Sequence, residues 1–321
     1  MIPVNNIIRS ATRTSEDPLN ILWLPHNGIF EHLVCSNTHH NFFGGLDLLN
    51  DSWDTSLFPP TSNFNILDRH NSFSMDVDFD LVVCNSRMGQ LNQAKVLSSV
   101  LHIPLLLIEH ALPPNIMKAE DIHLKKQEQQ AEYHIVTSDI INTAWQSNDR
   151  VIPYGIQNLK EDAERVDRIL LVGKFKPQEH EILKQLRIQS SMPVEILGDN
   201  PGLSEPCSYQ QLIEKLNTSK YFLNVNNTKI TPLLTLMAMS AGCVPVSNIN
   251  PLLKDVITED TSFTFTDQLD MIRMLNDLHN KDAIQQSENA SKTIQEKFNV
   301  ETAAQSWDQI FHSVCNHVYK R

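Results

Sequence analysis

Three short stretches in the second half of the chain have the residue types to hold an anion. Gly173-Lys174, Gly198-Asp199 and Asn224 to Thr231 each follow an apolar run and stand where a strand should end. Glycine lets a backbone approach a ligand closely, and lysine adds a compact positive charge. The third stretch leads into Lys229 to Val246, KITPLLTLMAMSAGCVPV, whose spacing predicts a short helix aimed at a buried strand. Thr231 is a suitable N-cap and Pro232 suits the first helical position. The apolar run Leu233, Leu234, Leu236, Met237 and Met239 predicts burial on most sides, and Gly242 stands where a left-handed C′ residue ends a helix. The unpaired N–H groups at the start of that helix, Leu233 among them, form an anion site, most simply for a phosphate. In the first half, the corresponding strand ends carry His26-Asn27-Gly28, Asn85-Ser86 and Glu109-His110. A second substrate would be expected there.

Several of these residues also have plainer readings. Lys229 at a helix start reads by itself more readily as a solvated helix-end lysine than as a ligand contact, and Asp199 can cap a turn instead of touching one. His39-His40 with His26 hints at a metal, but the spacing has no helix-based or cysteine-containing partner set. Surface histidines, and no metal, are the expectation.

The elements that must position these residues alternate. Asn20 to Leu24, Phe64 to Leu67, Asp80 to Cys84, LLLIEH and His134 to Ser138 read as strands in the first half. Helices are expected over Arg87 to Leu101, over about 117–132 and from Asp139, while Thr38 to Pro60 reads as loop-rich. Arg150 to Asn158 has the Pro and Gly of a hinge. Beyond it the alternation resumes with strands at Arg168 to Gly173, Val194 to Leu197, Tyr221 to Val225 and Ser262 to Phe265, helices over 178–188 and Tyr209 to Asn217, and three closing helices. Strand–helix alternation of this kind predicts an α/β protein with doubly wound parallel sheets. Two similar Rossmann-like domains with a cleft between them are expected, and ligands of such sheets bind outside the carboxyl ends of the strands.

Composition agrees with a globular protein. The 321 residues exceed one typical domain and suit two. A net charge of −12 argues against a partner held by bulk positive charge, so DNA is not favoured. Five scattered cysteines without a C-x-x-C pattern suggest a reducing compartment, with Cys84 and Cys243 as small core residues. No apolar run approaches the ~18 residues of a membrane span, and no signal peptide is evident, so a cytoplasmic location is expected.

From about residue 80 to the end, the chain resembles the GT-B glycosyltransferases, especially the retaining family 4 type. RVIPYGIQ resembles that family's hinge, LLVGKFKPQEHEIL its glycine–arginine strand end, and VEILGDNPG its glycine–aspartate loop. LTLMAMSAGCVPVSN resembles its Glu-Ala-Met-Ala-x-Gly-x-Pro-Val signature, and FNVETAAQSWDQIFHSV its closing helix. IPLLLIEHALPP and EYHIVTSD resemble its histidine-ended and serine-ended strands. The resemblance implies an acceptor domain over 1–155, a nucleotide-sugar domain over 156–300, and a last helix over 301–321 that packs back on the first domain.

Carried over residue by residue, the resemblance implies that His110 lies near the reacting sugar and that Lys174 replaces the usual diphosphate-binding arginine. His180 replaces its lysine partner, with Lys176 the nearest other cation. Asn27-Gly28, beside His26, represent the glycine pair near acceptor and diphosphate. Gly173, Gly198, Asp199, Lys229, Thr231 and Leu233 fall to the donor. Two glutamates of the family are absent: Lys229 stands at the sugar-proximal position and Met237 at the ribose position. Met237 offers no hydrogen-bond acceptor of useful strength.

The function expected is sugar transfer from a nucleotide diphosphate sugar, retaining and metal-independent, with no cofactor besides the donor. A saccharide, a lipid-linked sugar, a protein or a phage-type modified DNA base are the acceptors considered. A non-catalytic GT-B-like partner subunit is the alternative. A sugar-nucleotide epimerase, with Glu109 and Asp199 as its evident carboxylates, is the third.

Overall fold

The computed structural model describes residues 14, 16–25, 28–45, 53–67, 77–85, 89–113, 133–225, 232–248 and 250–318. The helix expected over about 117–132 lies outside them. The chain divides into two compact units. Unit 1 comprises Met1–Trp53, Pro60–Gly155 and Glu301–Arg321; unit 2 comprises Asp54–Pro59 and Ile156–Val300.

Among the described residues, unit 1 is built on seven parallel strands: β1 (Asn20–Trp23), β2 (Asn41–Gly44), β3 (Phe64–Ile66), β4 (Leu81–Asn85), β5 (Leu105–Glu109), β6 (Tyr133–Val136) and β7 (Arg150–Val151). Their order in the sheet is β3-β2-β1-β4-β5-β6-β7. β4 and β5 are buried at every position, which explains their unbroken apolar sequences, since a parallel sheet is covered on both faces. Helices α1 (Ile29–Ser36), α2 (Gln90–Leu101) and α3 (Asp139–Ala144) connect them. Chain order reverses between β1 and β4, the switch point of a Rossmann-type sheet.

Two elements here differ from expectation. Asn41–Gly44, inside the stretch read as loop, forms β2 and pairs with both β1 and β3. Four residues with only two buried are too short to register as a periodic pattern. Ile29–Ser36 forms α1, which the sequence does not announce because its N-cap is Gly28 rather than a hydroxyl or amide residue. Glu31 supplies the missing half of the cap: its Oε2 accepts the Gly28 N–H at 2.8 Å.

The last helix, α9 (Val300–Val318), belongs to unit 1. It buries Ala303, Trp307, Phe311 and Val314, an i, i+4, i+8, i+11 stripe. Trp307 packs on Phe30 and Phe311 on Trp23, with ring centroids 5.5 and 6.3 Å apart. Trp23 also meets Phe42 of β2 edge-on at 5.5 Å. Buried aromatics of this kind contribute on the order of 1.5–3 kcal/mol each.

Among the described residues, unit 2 is a five-stranded parallel sheet in the order β12-β11-β10-β8-β9. The strands are β8 (Val166–Val172), β9 (Val194–Leu197), β10 (Ser219–Asn224), β11 (Val244–Asn248) and β12 (Phe263–Phe265). Helices α4 (Pro177–Gln189), α5 (Tyr209–Thr218), α6 (Leu233–Ser240), α7 (Gln268–Asp277) and α8 (Ile284–Lys297) cover it. Leu183 and Leu186 of α4 and Met271 and Leu275 of α7 share one core with Ile169, Ile196, Leu223 and Val246 of the sheet. Helix α6 is buried nearly throughout, as its apolar run predicts. It begins at Leu233, one residue later than the pattern predicts: Pro232, with φ −76° and ψ 85°, is its N-cap and not its first helical residue. Gly242 has φ 87°, the left-handed C′ conformation expected after Ala241.

All five cysteines are buried free thiols. Among the described residues no helix is long and apolar enough to cross a membrane.

Candidate functional site

In unit 2 the chain order reverses between β8 and β10, so the crevice outside their carboxyl ends is the favoured ligand position. Gly173 follows β8 with φ 153°, and Gly198 follows β9 with φ 118°. A Cβ at Gly198 would lie 2.4 Å from Gly173 O, so the two strand ends close on each other only because Gly198 lacks a side chain; at Gly173 it is the φ of 153° that favours glycine.

Asn200 locks this arrangement. Its buried side chain donates through Nδ2 to Gly173 O and to Ser204 Oγ, each at 2.9 Å, and its Oδ1 accepts the Phe175 N–H at 2.7 Å. Ser204 Oγ in turn donates to Gly198 O at 2.7 Å. His180 adds a second hold, its Nε2 donating to Phe175 O at 3.1 Å. Lys176 N donates to Glu179 Oε2 at 2.6 Å, which caps α4. Lys174 therefore projects, exposed, from a turn pinned on both sides of it.

At the end of β10, Asn224 is buried and its Nδ2 donates to Ser247 Oγ at 3.1 Å. The Leu233 side chain is apolar and buried, so what this residue can offer an anion is its backbone N–H. Met237 is 1% exposed, packed in the core of α6. A mainly apolar cavity of about 310 Å³ adjoins this region, with Phe175, Leu183, Val225, Asn248 and Phe265 in its wall.

In unit 1 the switch point between β1 and β4 is cross-linked by Gln90. Its Nε2 donates to Pro25 O at 2.6 Å, and its Oε1 accepts from Asn85 Nδ2 at 3.2 Å. Gly28 has φ 78°, and a Cβ there would fall 2.1 Å from the Trp53 ring. Its N–H donates to Glu31 Oε2. His110 is 4% exposed, with Nδ1 3.2 Å from Tyr154 Oη and its ring edge-on to Phe30 at 4.3 Å. Glu109 is buried and accepts the Ala111 N–H at 3.1 Å through Oε1, so it shapes the turn after β5.

The residues named from sequence thus separate. Gly173, Lys174, Gly198 and His180 come together at the β8 and β9 ends. Asp199 is exposed beside them, and the turn-holding role open to it belongs instead to its neighbour Asn200, which the sequence pattern did not single out. Gly28 and His110 lie in unit 1. Lys229, Thr231, His26 and Asn27 lie outside the described residues. His40 corrects the expectation of surface histidines: it is fully buried, packed on Phe311 at 5.5 Å, with its Nδ1 accepting the Leu19 N–H at 3.2 Å.

Two Rossmann-like units of parallel sheet and covering helices are the architecture of the GT-B glycosyltransferases. The solved structures that resemble the chain have that fold. HepE of Anabaena, solved in complex with UDP, superposes with a TM-score of 0.65 over 92% of this chain and 100% of its own, at 13% identity. Sucrose-phosphate synthase of Thermosynechococcus elongatus gives 0.63 over 92% and 99% at 13% identity, and a glycosyltransferase of Rickettsia africae 0.60 over 93% and 99% at 10%. At these identities the likeness shows the fold. No protein-family model and no curated protein sequence matches the chain.

Proposed function

We propose that the protein transfers a sugar from a nucleotide diphosphate sugar to an acceptor. The observation that carries this reading is a GT-B fold whose second sheet ends, at its switch point, in a glycine-built turn presenting Lys174. Proteins of the same fold have been solved with UDP, with UDP-glucose, and with UDP and GlcNAc. In this reading Lys174 stabilises the diphosphate as it departs. Its turn is held in place before the ligand arrives, which is the condition for electrostatic preorganisation. The backbone N–H groups at the start of α6, with Lys229 and Thr231 before it, complete the anion site. Asn200 and His180 act through the turn and do not touch the ligand. Cations and N–H groups carry the leaving-group charge without a metal, and the sugar is transferred with retention, as in the family the chain resembles.

Met237 supports a second reading. The position that would hold a ribose-binding carboxylate is a core methionine at 1% exposure, which favours a GT-B-like partner subunit that has lost its donor. Calorimetric titration with UDP, GDP, ADP and their sugar conjugates separates the two. Micromolar binding of one nucleotide, weakened about tenfold or more by Lys174→Ala, supports the transferase, since a charge-assisted contact is worth about 1.5–3 kcal/mol. A folded protein that binds none of the panel supports the partner subunit.

A further inference from the structure

Two segments distant in the chain bring four metal-ligating side chains together in unit 1. His39 and His40 immediately precede β2, while Asp308 and His312 stand four residues apart on α9 and share a helix face. One ligand atom from each residue lies within 4.8 Å of all the others. Asp308 Oδ1 is at the centre, 3.5 Å from His39 Nδ1, 3.1 Å from His40 Nε2 and 3.8 Å from His312 Nε2. Ligands on a tetrahedral zinc ion with bonds of ~2.0–2.1 Å stand about 3.3 Å apart. The Asp308 separations from His39 and His312 exceed that value by only about 0.2 and 0.5 Å, so small side-chain rotations close the set.

His40 differs from the other three. The Leu19 N–H donates to its Nδ1, which places the proton of the neutral ring on Nε2, the atom that faces Asp308. A nitrogen carrying a proton has no lone pair to give a metal. It can instead orient the carboxylate that does, as outer partners of metal ligands do. Its ring is held for that task by Phe42 and Phe311, at 6.4 and 5.5 Å. The His39 and Asp308 side chains are 47% and 31% exposed, so an ion can enter from solvent.

We propose that His39 Nδ1, Asp308 Oδ1 and His312 Nε2 form a binding site for a divalent cation of the zinc class, with His40 positioning Asp308 and a water completing the coordination. Imidazole and carboxylate are the ligands such ions select. Binding displaces any proton held by His39 or His312 and ties the segment before β2 to α9.

The test uses the full chain, stripped with a chelator and titrated with zinc chloride by calorimetry and with cobalt(II) by visible absorption. One equivalent should bind, raising the unfolding temperature and giving the intense visible bands of four-coordinate cobalt. His39→Gln and Asp308→Asn each remove a direct ligand and should weaken binding by at least the 10- to 100-fold that losing an outer partner costs. His279→Gln, an exposed histidine outside the cluster, should change nothing. Wild-type binding no tighter than millimolar, or an affinity that His39→Gln leaves intact, would overturn the assignment. Because His39 is exposed, its variant keeps the test decisive even if Asp308→Asn does not fold.

Discussion

Asn200 is the residue whose removal should most directly disturb the candidate donor site without touching a ligand. Asn200→Ala deletes three hydrogen bonds, to Phe175 N, Gly173 O and Ser204 Oγ. At about 0.5–1.5 kcal/mol each the loss spans ~1.5–4.5 kcal/mol, and because Gly173 and Phe175 are half-buried and water can reach them, about 2–3 kcal/mol is expected. Asn200→Asp makes a sharper test. It keeps the acceptor for Phe175 but points a carboxylate oxygen at Gly173 O, where the amide donated. The charged form is disfavoured there, so its folded pKa is raised above the unfolded ~3.9. A raised carboxylate pKa leaves the variant least impaired below the unfolded value and progressively weaker as pH rises. The deficit relative to the parent should therefore widen from about pH 4 to pH 7. Urea unfolding followed by far-UV circular dichroism gives the stability. Hydrogen exchange of the Phe175 amide gives the local effect, because that amide should be protected in the parent and exchange freely in Asn200→Ala. A stability change below about 0.5 kcal/mol with Phe175 still protected would refute the proposed lock.

Other perturbations test the packing around it. Gly198→Ala sets a methyl 2.4 Å from Gly173 O at φ 118°, and should cost about 2–4 kcal/mol and abolish any nucleotide binding measured by calorimetry. Burial pushes the Cys84 thiol up to about 12, and it pushes Cys243 to about 11 against the opposing pull of Arg165. Both thiols ionise near 9.0 when unfolded, so their contribution is complete below that value and falls as pH rises from 9 toward 11. The fall should be about 1.4 kcal/mol per pH unit for each thiol, and the unfolding free energy of a Cys84→Ala/Cys243→Ala variant, from urea titrations, should be flatter over that range by their sum.

What was legible in the sequence and what was not follow from the length and locality of each signal. The strands LVVCN and LLLIE are unbroken apolar runs because both faces of a parallel sheet are covered, and they can be read directly. Gly242 and the apolar run of α6 were equally plain. β2 is too short to show a period, and α1 begins on a glycine, so neither carries a local signature. Gly173 and Gly198 are visible as glycines at strand ends, but not that Gly198 is needed because its backbone closes on Gly173 O. Asn200 owes its role to groups converging from two strand ends, and no spacing encodes that. The histidine cluster was hidden for a related reason: half of it stands before β2 and half on the last helix. His39-His40 alone looked like surface residues. The Asp308/His312 spacing on α9 was the signal that could have completed the set.

The return of α9 to unit 1 bears on how the protein is made. On the ribosome, the first 155 residues emerge with Trp23 and Phe30 but without the Trp307 and Phe311 that cover them. Roughly 150 further residues must be synthesised first, a delay on the order of ten seconds at typical elongation rates. Unit 2 is complete in sequence at Val300, before unit 1 can bury its aromatic face. The half of the protein that is translated first is thus the half that finishes last. Through that interval it presents an apolar surface of the kind chaperones bind, and a fragment cut after residue 155 would keep that surface for good.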